Sequence, residues 1–138
     1  GMAKQTVTPA ASTNLSITDL TLSGELALAK AVQGTTLTDT SNTGSVTLDF
    51  DTYQNFVLTL TGNVTLANPT TEAVGQVGSI VLIQDGTGSR TLSLGTDYES
   101  VGGSGITLST AASATDMIPY VVAASNRILL GTPQLAFS

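Results

Sequence analysis

The residues of this chain with the types and spacing to do chemistry are two carboxylate pairs. Asp49 with Asp51, and Asp97 with Glu99, stand at alternate positions, so in an extended chain each pair projects from one face. Two carboxylates on one face are the minimum for a glycosidase pair or for the oxygen ligands of calcium. Acidic residues on the wet face of a strand are nonetheless the ordinary case. Other chemistries are poorer still. With no histidine and no cysteine, a serine nucleophile would need Lys4 or Lys30 as its base, and a thiolate zinc site is excluded. Gly102-Gly103-Ser104-Gly105 has the serine and glycines of a nucleophile elbow, but the last glycine is displaced and no strand-to-helix context follows. Asp85-Gly86-Thr87-Gly88 has the glycines of a phosphate cradle without the lysine or the helix. Both read as turns. The expectation is therefore no catalytic residue, no metal and no cofactor. Tyr53, Tyr98 and Tyr120 could stack on sugars, and single tyrosines equally form the edge of a core. Tyr53 and Tyr98, with Asp97 and Glu99, are the candidate glycan contacts in exposed loops. Arg90 and Arg127 each follow a reversal and read as strand-end charges paired with a carboxylate.

Positioning any of these falls to strands. Of 138 residues only 4% are aromatic and 10% charged, while glycine, serine and threonine abound. That is the usage of half-exposed strands joined by turns, and the length suits one domain with a real core. Ten acidic against four basic residues leave a net charge of -6, with nothing to neutralise a phosphate backbone. Nucleic acid is excluded as a partner on that ground. No apolar run approaches the ~20 residues of a membrane helix, so no membrane insertion is expected, and the N-terminus lacks the pattern of a signal peptide. Gly1 before Met2 reads as a cloning remnant.

Along the chain, Gly1 to Ser12 reads as a tail. From Asn14 to Leu28, Leu15, Ile17, Leu20, Leu22, Leu26 and Leu28 recur among Ser, Thr and Gly. This is an extended arm whose apolar side chains must either dock on the chain's own domain or form an oligomer interface with neighbouring copies, the second being the choice that the resemblance given below implies. Glu25 to Ala31 also carries helix formers. Gln33 to Gly44, rich in Thr, Asp and Asn, reads as a loop. The organising stretch is Ser45 to Leu66. Val46, Leu48, Phe50, then Phe56, Leu58, Leu60, then Val64 and Leu66 alternate with polar residues, and Thr61-Gly62-Asn63 offers a tight reversal between antiparallel strands. Ile80 to Ile83 and Met117 to Ala124 are apolar at both parities, the mark of strands covered on both faces. Between them Asp85 to Ser89 reads as a hairpin loop, with Leu92 and Leu94 facing inward on the return. Ser125-Asn126 suits a two-residue reversal pairing Ala123 and Val122 with Ile128 and Leu129 respectively, and Pro119 points to an edge, a strand start or a bulge. The expected fold is all-β, an antiparallel β-sandwich of jelly-roll type over residues 45–138, with tail, arm and loop over residues 1–44.

Within Ala67 to Val121, Asn68-Pro69, Gly75 and Gly78 precede an apolar strand. Gln84-Asp85-Gly86-Thr87-Gly88-Ser89-Arg90-Thr91-Leu92 follows, then Thr107-Leu108-Ser109-Thr110, and Asp116 leading into the last apolar strands. Taken together these resemble a β-rich domain of bacteriophage tail-fibre and other virion structural proteins. Leu20-Thr21-Leu22-Ser23-Gly24-Glu25-Leu26 is similar to the stalk segments of such proteins. The resemblance implies a non-enzymatic virion component, a homotrimer associated with other virion proteins and assembled in the host bacterial cytoplasm. The alternative is a receptor-binding module for host surface glycans. This chain ends its β region on Arg127-Ile128-Leu129-Leu130, where the family commonly has an aromatic-rich strand.

Overall fold

The structure, a computed structural model, describes residues 16–138. It divides after Val32 into two units, of which Gln33–Ser138 is the second. In the first, residues 16–32 form neither strand nor helix. The alternation in this arm suits a strand, yet a strand exists only where a neighbour accepts its backbone bonds. The helix formers of Glu25 to Ala31 are too few to hold a helix without packing. Ile17, Leu20, Leu22, Leu26 and Leu28 are between 45% and 63% exposed; Leu15 lies outside the described residues.

The second unit is all-β. Its strands are β1 (Thr36–Thr47), β2 (Asn55–Ala67), β3 (Val77–Gln84), β4 (Leu92–Leu94), β5 (Tyr98–Glu99), β6 (Thr115–Ala124), β7 (Arg127–Leu130) and β8 (Gln134–Phe137), with a single 3-10 turn at Val101–Gly103. All belong to one sheet in the order β1-β2-β3-β6-β7-β5, with β4 beside β2 and β8 beside β6. Pairs β1–β2, β2–β3, β2–β4 and β5–β7 are parallel, and β3–β6, β6–β7 and β6–β8 are antiparallel. In place of the expected antiparallel jelly-roll sandwich there is one curled mixed sheet, a half-barrel. Its concave side holds the core. Phe56, Leu58, Leu60, Val64 and Leu66 of β2, Ile80 and Leu82 of β3, Ile118, Tyr120 and Val122 of β6, and Ile128 and Leu130 of β7 are buried there, because every second side chain of a strand shares a face.

Three local expectations are corrected. First, Gln33 to Gly44 is not a loop: it supplies most of β1, an edge strand. Edge strands bury little, so Leu37 and Val46 are only half-buried and the pattern there is dominated by Thr, Ser, Asn and Asp. The one fully buried side chain of β1 is polar: Asn42 donates from Nδ2 to the carbonyls of Asp39 and Thr59, at 3.0 Å each. Second, Thr61-Gly62-Asn63 is not a reversal. Strand β2 runs straight through it, and the register slips there: Asn42 faces Leu60, but Gly44 faces Val64. This bulge brings β1 so close that a Cβ on Gly62 would collide with Oγ1 of Thr43, and it adds to the curl. Leu48 and Phe50 keep their inward phase, but on the connection that returns from β1 to the parallel β2, with 1% and 3% exposure. Third, Asp85 to Ser89 closes no hairpin. The returning strand β4 pairs in parallel with β2, although Leu92 is buried as expected.

The reversal at Ser125-Asn126 stands where it is expected, but a bulge at Ala123 shifts the expected pairing by one residue on β6. Val122 faces Ile128 and Val121 faces Leu129, and Asn126 takes a φ of 59°, which asparagine tolerates better than most residues. Strand β6, though internal, accommodates Pro119 for a local reason. The carbonyl of Pro119 accepts Gly131 N–H at 2.9 Å, so its ring nitrogen faces the same side. The absent donor falls at the break between β7 and β8. Finally, only one face of β3 and β6 lies in the core. Val81, Ile83 and Met117 on the other face are half-buried, and Pro119, Val121 and Ala123 are exposed, so neither strand is covered on both sides within this unit.

Candidate functional site

The aromatic residues meet under one end of the core. Phe50 stands at the centre, with ring centroids 5.1 Å from Phe56, 5.3 Å from Tyr120 and 6.5 Å from Tyr98, and Tyr53 joins through Phe56 at 6.3 Å. Edge-to-face and tilted geometries fit the ring quadrupoles. The cluster separates two surface cavities in which the candidate contacts lie apart. Tyr53 lines one of about 610 Å³, with Asp51, Thr52, Gln54, Thr71 and Gln76. Tyr98 and Glu99 line another of about 550 Å³, with Ser93, Ser100, Ser104 and Ile106.

The Tyr53 cavity is built by backbone and amide bonds. Asp49 Oδ1 accepts the N–H groups of Asp51 and Thr52, at 3.1 and 3.2 Å, and the Tyr53 N–H donates to the Asp49 carbonyl at 3.2 Å. Hydrogen bonds from Thr52 hold the Asp49 carboxyl below its usual range. Asp49 therefore closes a turn. Gln76 Nε2 donates to the Tyr53 carbonyl at 3.0 Å and to the Tyr120 hydroxyl at 3.3 Å, while that hydroxyl donates to the Gln54 carbonyl at 2.6 Å. Gln54 Nε2 in turn donates to the Val77 carbonyl. A Cβ on Gly78 would strike the Gln54 carbonyl, so glycine is what lets β3 close this wall. Tyr53 itself is half-buried and lines the cavity. Tyr120 is 4% exposed, with its hydroxyl pushed up by burial and opposed by the Gln76 bond.

The second cavity is less tightly made. Asp97 is placed by its backbone: its N–H donates to Asn68 Oδ1 at 2.9 Å and its carbonyl accepts Ile128 N–H at 2.8 Å. The Glu99 carboxylate pairs with Arg127 Nε at 2.6 Å. Tyr98 is only 5% exposed, so its ring belongs to the core. Its hydroxyl has no partner, and neither has Glu72 Oε2. Burial, then the charges of Glu72 and Asp97, push the Tyr98 hydroxyl well above its usual range.

Both arginines pair with a carboxylate as expected, but only Arg127 stands at a strand end, the start of β7; Arg90 lies in the connection between β3 and β4. Arg127 holds Glu99, and Arg90 holds Asp85 with Nη2 to Oδ2 at 2.9 Å and Nε to Oδ1 at 3.3 Å. Asp85 Oδ1 also accepts Thr87 and Gly88 N–H, at 3.1 and 3.0 Å. Arg90 is the largest cause of the Asp85 carboxyl being held down to about 2. Among the described residues no three of His, Cys, Asp and Glu stand together as a metal site, and no helix is long and apolar enough to cross a membrane.

Sequence reasoning missed two buried polar anchors. Gln84, 3% exposed, donates from Nε2 to the carbonyls of Arg90 and Ser109, at 2.8 and 3.0 Å. Its Oε1 accepts Arg90 N–H at 2.9 Å. Asp116, 2% exposed, accepts Ser109 N–H at 2.7 Å and Ala136 N–H at 2.9 Å, tying a loop and β8 to β6. A polar residue at a core parity was the available signal for both. Each anchors backbone, and neither faces an empty space.

Residues 42–123 match the family described as "Putative phage tail fibre C-terminal domain". The chain belongs to this family. The match runs from the bulged half of β1 almost to the end of β6 and takes in most of the lining of both cavities. No curated protein and no solved structure matches the chain. A tail-fibre domain is a structural part of the virion, which agrees with side chains engaged in turns, caps and core.

Proposed function

We propose that this protein acts by assembly, as a non-enzymatic tail-fibre component that forms a homotrimer, joins other virion proteins and is assembled in the host cytoplasm. The observation that carries the reading is family membership over residues 42–123. The arm supports it, because five large apolar side chains between Ile17 and Leu28 are about half exposed. Ordering such a segment costs about 1 to 2 kcal/mol per residue, and burying each leucine returns about 1.5 to 3 kcal/mol. The arm is thus stably placed only where those side chains leave water. An intertwined trimer through Leu15, Ile17, Leu20, Leu22, Leu26 and Leu28 provides such a place. Light scattering on the full chain beside a Leu20→Asp, Leu22→Asp double variant tests this. A trimer that falls apart in the variant is expected; a monomeric parent refutes the trimer, and a variant that stays trimeric refutes the arm's part in it.

The second reading, recognition of a host surface glycan, is favoured by one observation: Tyr53 presents a half-buried ring beside Asp51 and Thr52 in a cavity of about 610 Å³. An aromatic face with hydrogen-bonding groups beside it is how a sugar is held. On this reading Tyr53 makes the stacking contact, and Tyr98, Asp97 and Glu99 shape the neighbouring loop. Glycan-array binding lost in Tyr53→Ala would support it, and an array without signal would remove it.

A further inference from the structure

The convex face of the sheet is apolar and almost free of charge. Pairing sets its side chains in rows: Val57, Val81 and Met117; Thr59, Ile83, Thr115 and Phe137; Val77, Val121 and Leu129. Residues paired directly across strands share a face, and these alternate with the core set. Val77 is 55% exposed, Val121 37% and Phe137 54%, and the others are half-buried. Pro119, Val121 and Leu129 also border a shallow apolar hollow of about 340 Å³. The outer face of a half-covered sheet is normally polar, so an apolar one marks a contact surface.

Charge selects the occupant. Unit Gln33–Ser138 carries eight acidic residues, Asp39, Asp49, Asp51, Glu72, Asp85, Asp97, Glu99 and Asp116, against Arg90 and Arg127, which gives a net charge of -6. Two copies meeting through most of the rest of this unit's surface would bring carboxylates together, which is strongly unfavourable. The rows above hold no charge. They end at Glu99, opposite Leu129, where Arg127 already neutralises the carboxylate.

The margins add direction. Strand β8 pairs only with β6, leaving its outer edge open, and its Leu135 and Phe137 are each 54% exposed, the kind of edge that recruits another chain. At the opposite margin β1 is also an edge, but a polar one. Two unlike margins suit a head-to-tail arrangement of copies, which forms a ring where the rotation between them closes.

We infer that the convex face of β2, β3, β6 and β7, with β8 at its margin, seats a second copy of this chain. The inference rests on the self-assembly proposed above and adds to the arm a second surface that takes part in it. The test is sedimentation velocity on the full chain and on Val121→Glu, Phe137→Glu and, off this face, Thr70→Glu, with circular dichroism confirming that each is folded. The expected result is an oligomer for the parent and Thr70→Glu, and single chains for the other two. Phe137→Glu lies in the last strand, so its result stands even where Val121→Glu fails to fold. An oligomeric parent with both face variants still oligomeric overturns the surface and leaves self-assembly intact. A parent that sediments as a single chain overturns both, leaving the face to the arm or to a different virion protein.

Discussion

Replacing Gln84 by methionine keeps the length of the side chain and removes all three of its hydrogen bonds. Gln84 is 3% exposed, and its amide holds both backbone groups of Arg90 and the carbonyl of Ser109. At about 1 kcal/mol net for each bond the loss is about 3 kcal/mol. It would be larger if the backbone groups stayed dry, but Arg90 and Ser109 are only half-buried, so water can reach them. Methionine returns about 1 kcal/mol by burying a less polar side chain. The expected net loss is about 2 kcal/mol in urea unfolding, or about 6 to 10 °C in Tm for a domain of this size. The slope against urea should not change, because the same surface is exposed on unfolding. Hydrogen exchange should show the Arg90 amide opening at a lower free energy than those of β3. Gln84→Glu sharpens the test. Its ionised carboxylate still accepts Arg90 N–H but turns an oxygen toward two carbonyls, so it should be less stable than the methionine variant at neutral pH. Acidification should restore part of the loss, since a protonated carboxyl can donate once. A methionine variant as stable as the parent would refute the role assigned to Gln84.

The Tyr98 hydroxyl, buried without a partner, should be a liability: Tyr98→Phe is expected to match or exceed the parent by up to about 1 kcal/mol in thermal unfolding, and a loss above that would mean the hydroxyl is bonded. Because folding raises the Tyr98 pKa, the unfolded chain releases this proton first, so parent stability should fall above about pH 10, and Tyr98→Phe should flatten that fall. Asp85 runs the other way. Its carboxyl is held down to about 2 from the usual 3.8, so its contribution is present above pH 3.8 and is lost as pH falls toward 2; Asp85→Asn should remove the corresponding slope from an acid titration of stability.

What the chain declares locally and what it leaves to distant partners separate cleanly at particular residues. Phe56, Leu58 and Leu60 announce their strand because burial on one face imposes a period of two, whatever the neighbours are. Short unbroken apolar runs announced β3 and β6, and Asn126 announced the β6–β7 turn. Strand β1 stayed hidden because burial is what writes the pattern. As an edge it buries almost nothing apolar, leaving Thr, Ser, Asn and Asp that a loop would equally use. Gly62 misled for a related reason. Glycine marks a reversal when the backbone needs a positive φ, and a close approach when a neighbour needs the room of a Cβ. Local sequence does not distinguish the two; only Thr43, on another strand, does. Parallel pairing was out of reach likewise, since nothing in Leu92 or Leu94 tells whether β4 lies beside β3 or beside β2.

The candidate contacts divide along the same line. That Tyr53 keeps an accessible ring while Tyr98 becomes core depends on where Phe50 lands, and Phe50 sits on a connection whose path is fixed by the parallel β1–β2 pair. The doubly apolar strands were legible as residues and misread as packing. Within unit Gln33–Ser138 Val81, Met117 and Val121 have no second layer to meet, and the second copy proposed above would supply one. Apolar residues at both parities of a central strand call for two covered faces; this unit covers one, and the proposed contact with a second copy would cover the other.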